Sequence, residues 1–200
     1  MFSTFVLATT TAPGAPALAP AAAAVCQGCH GARGEGNPPA AIPRIAGQSP
    51  EYLEKQLRDY ATGDRFHPVM QNFAKPLGNA ERSEIAAYFA SLDAPYLPVK
   101  TTSLPVQLAL GHRLANQGVE SQHVQACKSC HGPDGVGVWH AAPYLAGQSA
   151  EYLASALNSF KVGTRKNDPG KLMSSVAAGL TDADILAASA YFSTLANASP

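Results

Sequence analysis

The sequence predicts an all-α protein built as two tandem domains, each made of a few short helices. An internal repeat with a period of about 100 residues indicates the two domains, and 200 residues suit one or two domains. Helix start and stop signals recur in both halves, while no alternating strand pattern is present. The 17 glycines and 16 prolines imply many turns and keep the regular elements short.

The repeat is clearest in an eleven-residue segment after the middle of each half. Residues 43–53 read PRIAGQSPEYL, and residues 143–153 read PYLAGQSAEYL. Matching pairs continue at an offset of 100 and then, beyond Arg165, at 103: Gly63 and Gly163, Arg65 and Arg165, Met70 and Met173, Tyr88-Phe89 and Tyr191-Phe192. The extra three residues of the second half therefore fall between Arg165 and Met173, in a stretch of loop-like composition.

These features divide the chain into four segments. Residues 1–16 resemble a leader with small residues suited to signal cleavage, although the segment lacks a basic start and its apolar run is short. Residues 17–94 form the first domain and residues 107–200 the second. Residues 95–106 contain three prolines, which cannot continue a helix, and are predicted to be an extended linker.

Helix signals are placed alike in the two halves. Ser49 and Ser149 are expected to cap helices that continue through Leu57 and Leu157, and Gly63 is a natural stop, as is Gly163. Thr181 and Asp184 resemble a capping box at the start of the last helix. The last helix of each half carries apolar and aromatic residues that we expect to pack in a core or against a cofactor: Ile85, Tyr88, Phe89, Leu186, Tyr191 and Phe192.

Composition excludes several classes of protein. Fourteen basic and fourteen acidic side chains leave the chain formally neutral, without the basic surface that a nucleic-acid-binding protein needs. No run of 18 apolar residues is present, so no transmembrane span is predicted. An apolar fraction of 46% with zero net charge argues against a disordered chain.

All four cysteines occur in two CxxCH motifs, and the second motif begins 101 residues after the first. The motifs consist of Cys26, Cys29 and His30, and of Cys127, Cys130 and His131. This pentapeptide is typical of covalent c-type haem attachment, because two thiols three residues apart reach the two vinyl groups and the adjacent imidazole reaches the iron. The alternatives are half a zinc site, a redox dithiol or a disulfide. A zinc site would need further ligands at finger-like spacing, and the sequence does not offer them.

The second axial ligand of each iron decides the chemistry. Met70 lies 40 residues after His30, and Met173 lies 42 residues after His131, each in a predicted loop before the last helix. Methionine is usually core filler, but one per domain in register favours an iron ligand. His67 is a competing ligand without a counterpart before Met173, and we interpret it as a surface loop residue.

Three other histidines also lack counterparts in the first half, and we expect them to face solvent or to support a site indirectly: His112, His123 and His140.

The motif order resembles class I cytochrome c, and its presence twice in one chain resembles the dihaem cytochrome c4 family. The resemblance covers nearly the whole chain after its first 15–20 residues or so. It implies two class I domains related by a pseudo-twofold axis, with their haems near the domain interface. It also implies that the carbonyls of Pro43 and Pro143 bind the second nitrogen of each proximal histidine. Arg65 and Arg165 either pair with haem propionates or are solvated residues at helix ends.

With both axial positions filled, the expected function is electron transfer rather than catalysis. The resemblance implies a periplasmic protein, soluble or peripherally bound to the membrane, in a respiratory chain. Its redox partners would be a quinol-oxidising complex and a terminal oxidase. The alternative is the cytochrome subunit of a periplasmic dehydrogenase, such as a flavocytochrome c sulfide dehydrogenase. A dihaem peroxidase would need an open iron, and a thiosulfate-oxidising dehydrogenase would need a fifth cysteine.

Overall fold

The computed structural model describes residues 19–93, 103–138 and 142–195. As predicted, the regular elements among these residues are helices, with isolated β-bridges but no strand. The α-helices are α1 (Ala24–His30), α2 (Pro50–Thr62), α3 (Pro68–Ala74), α4 (Asn79–Ala90), α5 (Pro105–Asn116), α6 (Lys128–His131), α7 (Ala150–Lys161), α8 (Leu172–Gly179) and α9 (Asp182–Thr194). Short 3₁₀ turns lie between them at Ala21–Ala23, Pro38–Ala40, Glu120–Gln122, Pro133–Gly135 and Pro169–Lys171.

Helices α2 and α7 begin where the repeated serines predict. The hydroxyl of Ser49 accepts a hydrogen bond from the backbone of Tyr52, and the hydroxyl of Ser149 accepts one from Tyr152. These bonds satisfy one of the free N–H groups of each first turn. Helix α2 ends at Gly63, whose φ of 90° is available to glycine without strain.

The final helix of each domain supplies a large share of its buried apolar residues. Helix α4 packs on α2, and α9 packs on α7. In the first domain Ile85 and Phe89 are almost fully buried, and in the second Ile185 and Phe192 are. The capping box predicted for α9 is present, since Thr181 and Asp184 exchange hydrogen bonds between side chain and backbone.

Within the described parts of the chain, the second domain has one more α-helix than the first, namely α5, which crosses α9 at close range. A Cβ added at Gly111 would lie 2.2 Å from the carbonyl oxygen of Ala187, so this crossing requires glycine. Helix α5 starts at Pro105, which the sequence placed in the linker, and the linker prediction is wrong at this end. Proline is tolerated there because the first helical N–H has no partner in any case. Residues 94–102 and the predicted leader lie outside the described residues.

The two domains contact each other through a pair of glutamines. The side chain of Gln48 accepts from the backbone N–H of Tyr144 at 2.9 Å and donates to its carbonyl at 3.1 Å. In the same way, the side chain of Gln148 accepts from the N–H of Arg44 and donates to its carbonyl, both at 2.9 Å. Residues 100 apart thus exchange equivalent contacts, which is the pattern of a pseudo-twofold interface.

Within the three described stretches, no helix has both the length and the apolar character needed to cross a membrane.

Candidate haem sites

Each CxxCH motif spans its own helical turn, and its two thiols are not joined in a disulfide. Cys26 and Cys29 are on α1, which ends at His30, and the second motif runs from Cys127 into α6. In each pair the first cysteine is half-buried and the second is exposed. Burial raises the pKa of Cys26 and raises that of Cys127 to about 11. Both stay protonated at neutral pH, unlike the low-pKa thiolate of a redox dithiol.

The motif histidines are buried and oriented alike. Nδ1 of His30 lies 2.9 Å from the carbonyl oxygen of Pro43, and Nδ1 of His131 lies 2.8 Å from that of Pro143. These are the carbonyls that the resemblance assigns to this position. Burial lowers the pKa of both histidines, against the opposing effect of the carbonyl hydrogen bond. Each imidazole is therefore neutral, donates from Nδ1 and leaves Nε2 available as a metal ligand.

The two methionines lie in the first turns of short helices, and their placement in loops is wrong. Met70 is in α3 and Met173 is in α8. Helix α3 forms because Pro68 opens it and Nδ1 of His67 accepts from the N–H of Met70 at 3.3 Å.

Helix α8 is held at its start by a carboxylate. Asp168 accepts from the N–H of Ser174 at 2.8 Å and from its hydroxyl at 2.9 Å. The first turn around each methionine is thus stabilised because a local side chain accepts from one of its free backbone N–H groups.

The remaining histidines are peripheral where the structure describes them. His67 is exposed and its ring lies edge-on to Tyr60, with the centroids 6.4 Å apart. His112 is exposed on α5 beside Tyr191, and His123 is exposed in a turn. His140 lies outside the described residues.

Arg65 and Arg165 are buried at the domain interface, so the solvated alternative for them is wrong. Each is only 8% exposed, and the two backbones pair as an isolated antiparallel bridge. Arg65 donates to the hydroxyl of Tyr152 at 3.2 Å, and Arg165 donates to that of Tyr52 at 3.3 Å. The extended backbone after each helix stop carries the arginine inward rather than into solvent.

The interface is electropositive at these arginines. Burial alone would raise the pKa of Tyr152, but the guanidinium groups of Arg65 and Arg165 lower it to about 8. Among the residues that the structure describes, neither arginine has a carboxylate within ion-pair distance. A buried pair of like charges favours an anion nearby, and a haem propionate has the matching geometry.

The donor set of each domain fits a covalently bound haem. Two free thiols can attach such a haem, and an imidazole with an available Nε2 and a thioether are groups that can bind its iron. Exposed apolar side chains flank both methionines, namely Phe66, Val69 and Phe73 in the first domain and Leu172 in the second. An apolar macrocycle would cover such side chains. Across the described stretches, no group of three or more His, Cys, Asp or Glu residues could hold a separate metal ion.

Sequence reasoning missed the residues that join the domains. Gln48 and Gln148 stand in the repeated AGQS segment, and Tyr52 and Tyr152 follow in EYL. Their recurrence at an offset of 100 indicates duplication, but it does not by itself show that these residues meet across the interface. Recurring polar residues outside the CxxCH motifs could have indicated a shared interface.

Comparisons with known proteins agree with this arrangement. The family model described as Cytochrome c matches residues 19–93 and 114–196. A relative named "Cytochrome c4" from Pseudomonas aeruginosa is 41% identical over 187 residues, which span 92% of this chain and 90% of the relative. A relative named "Thiosulfate dehydrogenase electron acceptor" from Thiomonas intermedia is 43% identical over 172 residues, 86% of this chain and 79% of the relative.

The fold is also that of a solved structure. Reduced recombinant cytochrome c4 from Pseudomonas stutzeri aligns with a TM-score of 0.77 at 36% identity, covering 86% of this chain and 94% of the other.

Proposed function

Since the chain belongs to the cytochrome c family, as two tandem domains that each bind a c-type haem covalently, we propose that it is a periplasmic electron carrier with His/Met-ligated irons. The observation that carries the proposal is the matched pair of buried histidines, each with Nδ1 on a proline carbonyl and Nε2 available. Two equivalent sites suit one-electron exchange at each and transfer between them.

The roles of the side chains follow from their chemistry. Cys26, Cys29, Cys127 and Cys130 form the thioether attachments. His30 and His131 would hold the irons through Nε2, and the hydrogen bonds to the carbonyls of Pro43 and Pro143 would make each imidazole a stronger ligand. The bound group supplies one-electron exchange between ferric and ferrous iron, at a potential that a thioether ligand raises.

Met70 and Met173 would be the second protein ligands of the irons and would keep small ligands from them, so we assign no catalytic residue. Arg65 and Arg165 hold the propionates at the domain interface.

Redox titration of the purified protein with absorbance spectroscopy tests this ligation. We expect two haems per chain, each with the methionine–iron charge-transfer band when oxidised and neither binding carbon monoxide rapidly when reduced. One haem without the band that takes up carbon monoxide would indicate an open iron, and the carrier proposal would fail.

The proposed partners are a quinol-oxidising complex as donor and a terminal oxidase as acceptor. The two halves hold eight and six basic side chains with equal numbers of acidic ones, so neither is strongly charged before the propionates are added. Oxidation of the reduced protein by oxidase-containing membranes should occur within the turnover time of the oxidase. A rate no higher than that in air alone would contradict this placement.

A second candidate function is to accept electrons from a periplasmic dehydrogenase. The relative named "Thiosulfate dehydrogenase electron acceptor" favours it, at an identity no lower than that of the cytochrome c4 relative. Reduction by thiosulfate dehydrogenase with thiosulfate should be compared with reduction by a flavocytochrome c sulfide dehydrogenase with sulfide. Rapid reduction by the first enzyme alone would favour this candidate, and by the second alone would favour the sulfide alternative.

A further inference from the structure

The segment that is three residues longer in the second domain reaches across to the first. The side chain of Asn167 donates to Asp59 Oδ2 at 2.5 Å and to Gln56 Oε1 at 3.1 Å, both on α2. The ammonium group of Lys55, on the same helix, donates to the backbone carbonyl of Asn167 at 2.6 Å. Three side chains of domain 1 therefore hold one residue of domain 2.

These contacts are buried on the side of domain 1. Gln56 is 8% exposed and Asp59 is 5% exposed. Gln56 Oε1 also accepts from Arg65 at 2.7 Å and from Arg165 at 3.2 Å, while Asp59 pairs with Lys55. Polar groups out of contact with water must keep their partners, so disruption of this cluster carries a free-energy cost.

No described residue of domain 2 forms the equivalent cluster. The positions of α7 that correspond to Gln56 and Asp59 are Ala156 and Ser159, which cannot form the same cluster. The shorter segment before Met70 is supported within domain 1, by the His67 cap. Among the described residues, support of a methionine helix across the interface therefore runs in one direction, from domain 1 to domain 2.

The contact extends to the helix that carries Met173. Asp168 follows Asn167 directly, and its carboxylate holds the first turn of α8 through Ser174. Two consecutive residues thus join α2 of domain 1 to the backbone beside the methionine. A displacement at the interface would be transmitted to the thioether through this short, hydrogen-bonded path.

We propose that Asn167 is a positioning residue that makes iron ligation by Met173 depend on contact with domain 1. This inference rests on the ligand role of Met173 under the proposed function. A redox partner that disturbs the interface would then alter the domain 2 haem selectively. Met70 would be insensitive to the same disturbance.

The test measures the charge-transfer band of one methionine at a time. In a Met70→Ala background the charge-transfer band reports Met173 alone, and in a Met173→Ala background it reports Met70 alone. Asn167→Ala removes both side-chain hydrogen bonds to domain 1, so we expect the fraction of domain 2 haem without the band to increase by about fivefold or more. The domain 2 potential should fall, and the band of Met70 should stay unchanged. Ser159→Ala is the matched control on α7 and should change neither band.

The decisive experiment substitutes a residue of domain 1 and measures the charge-transfer band of domain 2. Asp59→Ala should weaken the Met173 band, whereas Asp59→Asn keeps an acceptor oxygen for Asn167 and should restore most of it. Amide hydrogen exchange should become faster in residues 172–179 of Asn167→Ala. An unchanged Met173 band in Asn167→Ala, or equal loss of both bands, would overturn the inference. If Met173→Ala itself left the spectrum unchanged, the ligand assignment under the proposed function would fail instead.

Discussion

Domain 1 supports its methionine helix with its own residues, whereas domain 2 supports the corresponding helix partly through its neighbour. Met70 follows a histidine cap, and Met173 follows an inserted segment that Asn167 ties to Asp59. The CxxCH motifs and the His–Pro contacts are otherwise alike in the two halves. The ligands of a duplicated site can therefore stay the same while the structure that supports them becomes unequal.

The two domains also differ at the helix before the second motif. Helix α5 crosses α9 closely enough to exclude a Cβ at Gly111. In domain 1 the motif helix α1 and the turn before it pack near α4, and Ala23 is fully buried there. The second domain thus contains a close helix–helix backbone contact that is not described for the first.

The largest expected effect is the change in haem potential when one methionine is removed, and it tests whether the two haem sites are independent. Met70→Ala and Met173→Ala should each lower the potential of its own haem by on the order of 0.2 V, within the roughly 0.8 V range that axial ligands span. Each change should leave the other haem's charge-transfer band intact. Spectroelectrochemical titration checks this, and equal shifts at both haems from one substitution would show that the sites are not separable.

The next largest effect is a loss of stability when the close contact between α5 and α9 is disturbed. Gly111→Ala should destabilise domain 2 by about 3 kcal/mol, because overpacking a helix contact typically costs 1–3 kcal/mol and here the added Cβ meets backbone. Calorimetry, with the Met173 band as a second probe, measures the loss. Gly28→Ala is the control: nothing lies within 4 Å of its added Cβ, and domain 2 carries Ser129 at that position. A normal melting temperature in Gly111→Ala would mean that the helices are free to separate.

A pH titration tests the charge at the interface. Two guanidinium groups lower the pKa of Tyr152 to about 8, so the phenol would lose its proton about two units below its usual pKa of ~10. Propionates paired with Arg65 and Arg165 would cancel that effect. We expect the phenolate absorbance of the haem-loaded protein to show no step near pH 8. A step there that disappears in Tyr152→Phe would mean that the arginines have no propionate partner.

The two glutamine contacts are expected to contribute equally to the free energy of unfolding, whereas the supports of the two methionine helices differ. Gln48→Ala and Gln148→Ala each remove two hydrogen bonds to the opposite backbone, at ~0.5–1.5 kcal/mol for each bond. Denaturant unfolding should therefore give losses of about 1–3 kcal/mol that agree between the two variants. A loss confined to one of them would show that the pseudo-twofold symmetry of the backbone does not extend to energetics.

The smallest effect concerns the cap of α3. His67→Ala should cost about 1 kcal/mol, as for other lost N-caps, and should weaken the Met70 band without affecting that of Met173. His67→Asn retains a capping acceptor and is expected to preserve the band. Should His67→Ala abolish the band altogether, His67 would be more than a cap.

The sequence was sufficient for the fold class, the repeat and the helix starts at Ser49, Ser149 and Thr181. Each of these depends on local chemistry: a hydroxyl beside a free N–H, or a spacing that recurs. The CxxCH motifs could also be recognised from the sequence, because the two attachment cysteines and the histidine ligand lie within five residues.

The rest depends on contacts between distant parts of the chain. Neither the burial of Arg65 nor the contact between Asn167 and Asp59 could be predicted, since the partners lie about 100 residues apart. The helical state of Met70 and Met173 was missed because a capping histidine and a carboxylate six residues before Ser174 are weak signals. Pro105 was interpreted as a breaker although proline also opens helices.

The glutamine pair has a consequence for how the two halves can diverge. Gln48 binds the main chain of Tyr144, and Gln148 binds the main chain of Arg44, so neither contact specifies a side chain. Tyrosine and arginine already occupy these matching positions without loss of the contact. An association through backbone groups tolerates substitution at both positions, so mutational drift can reshape the surface around each haem while the halves remain joined.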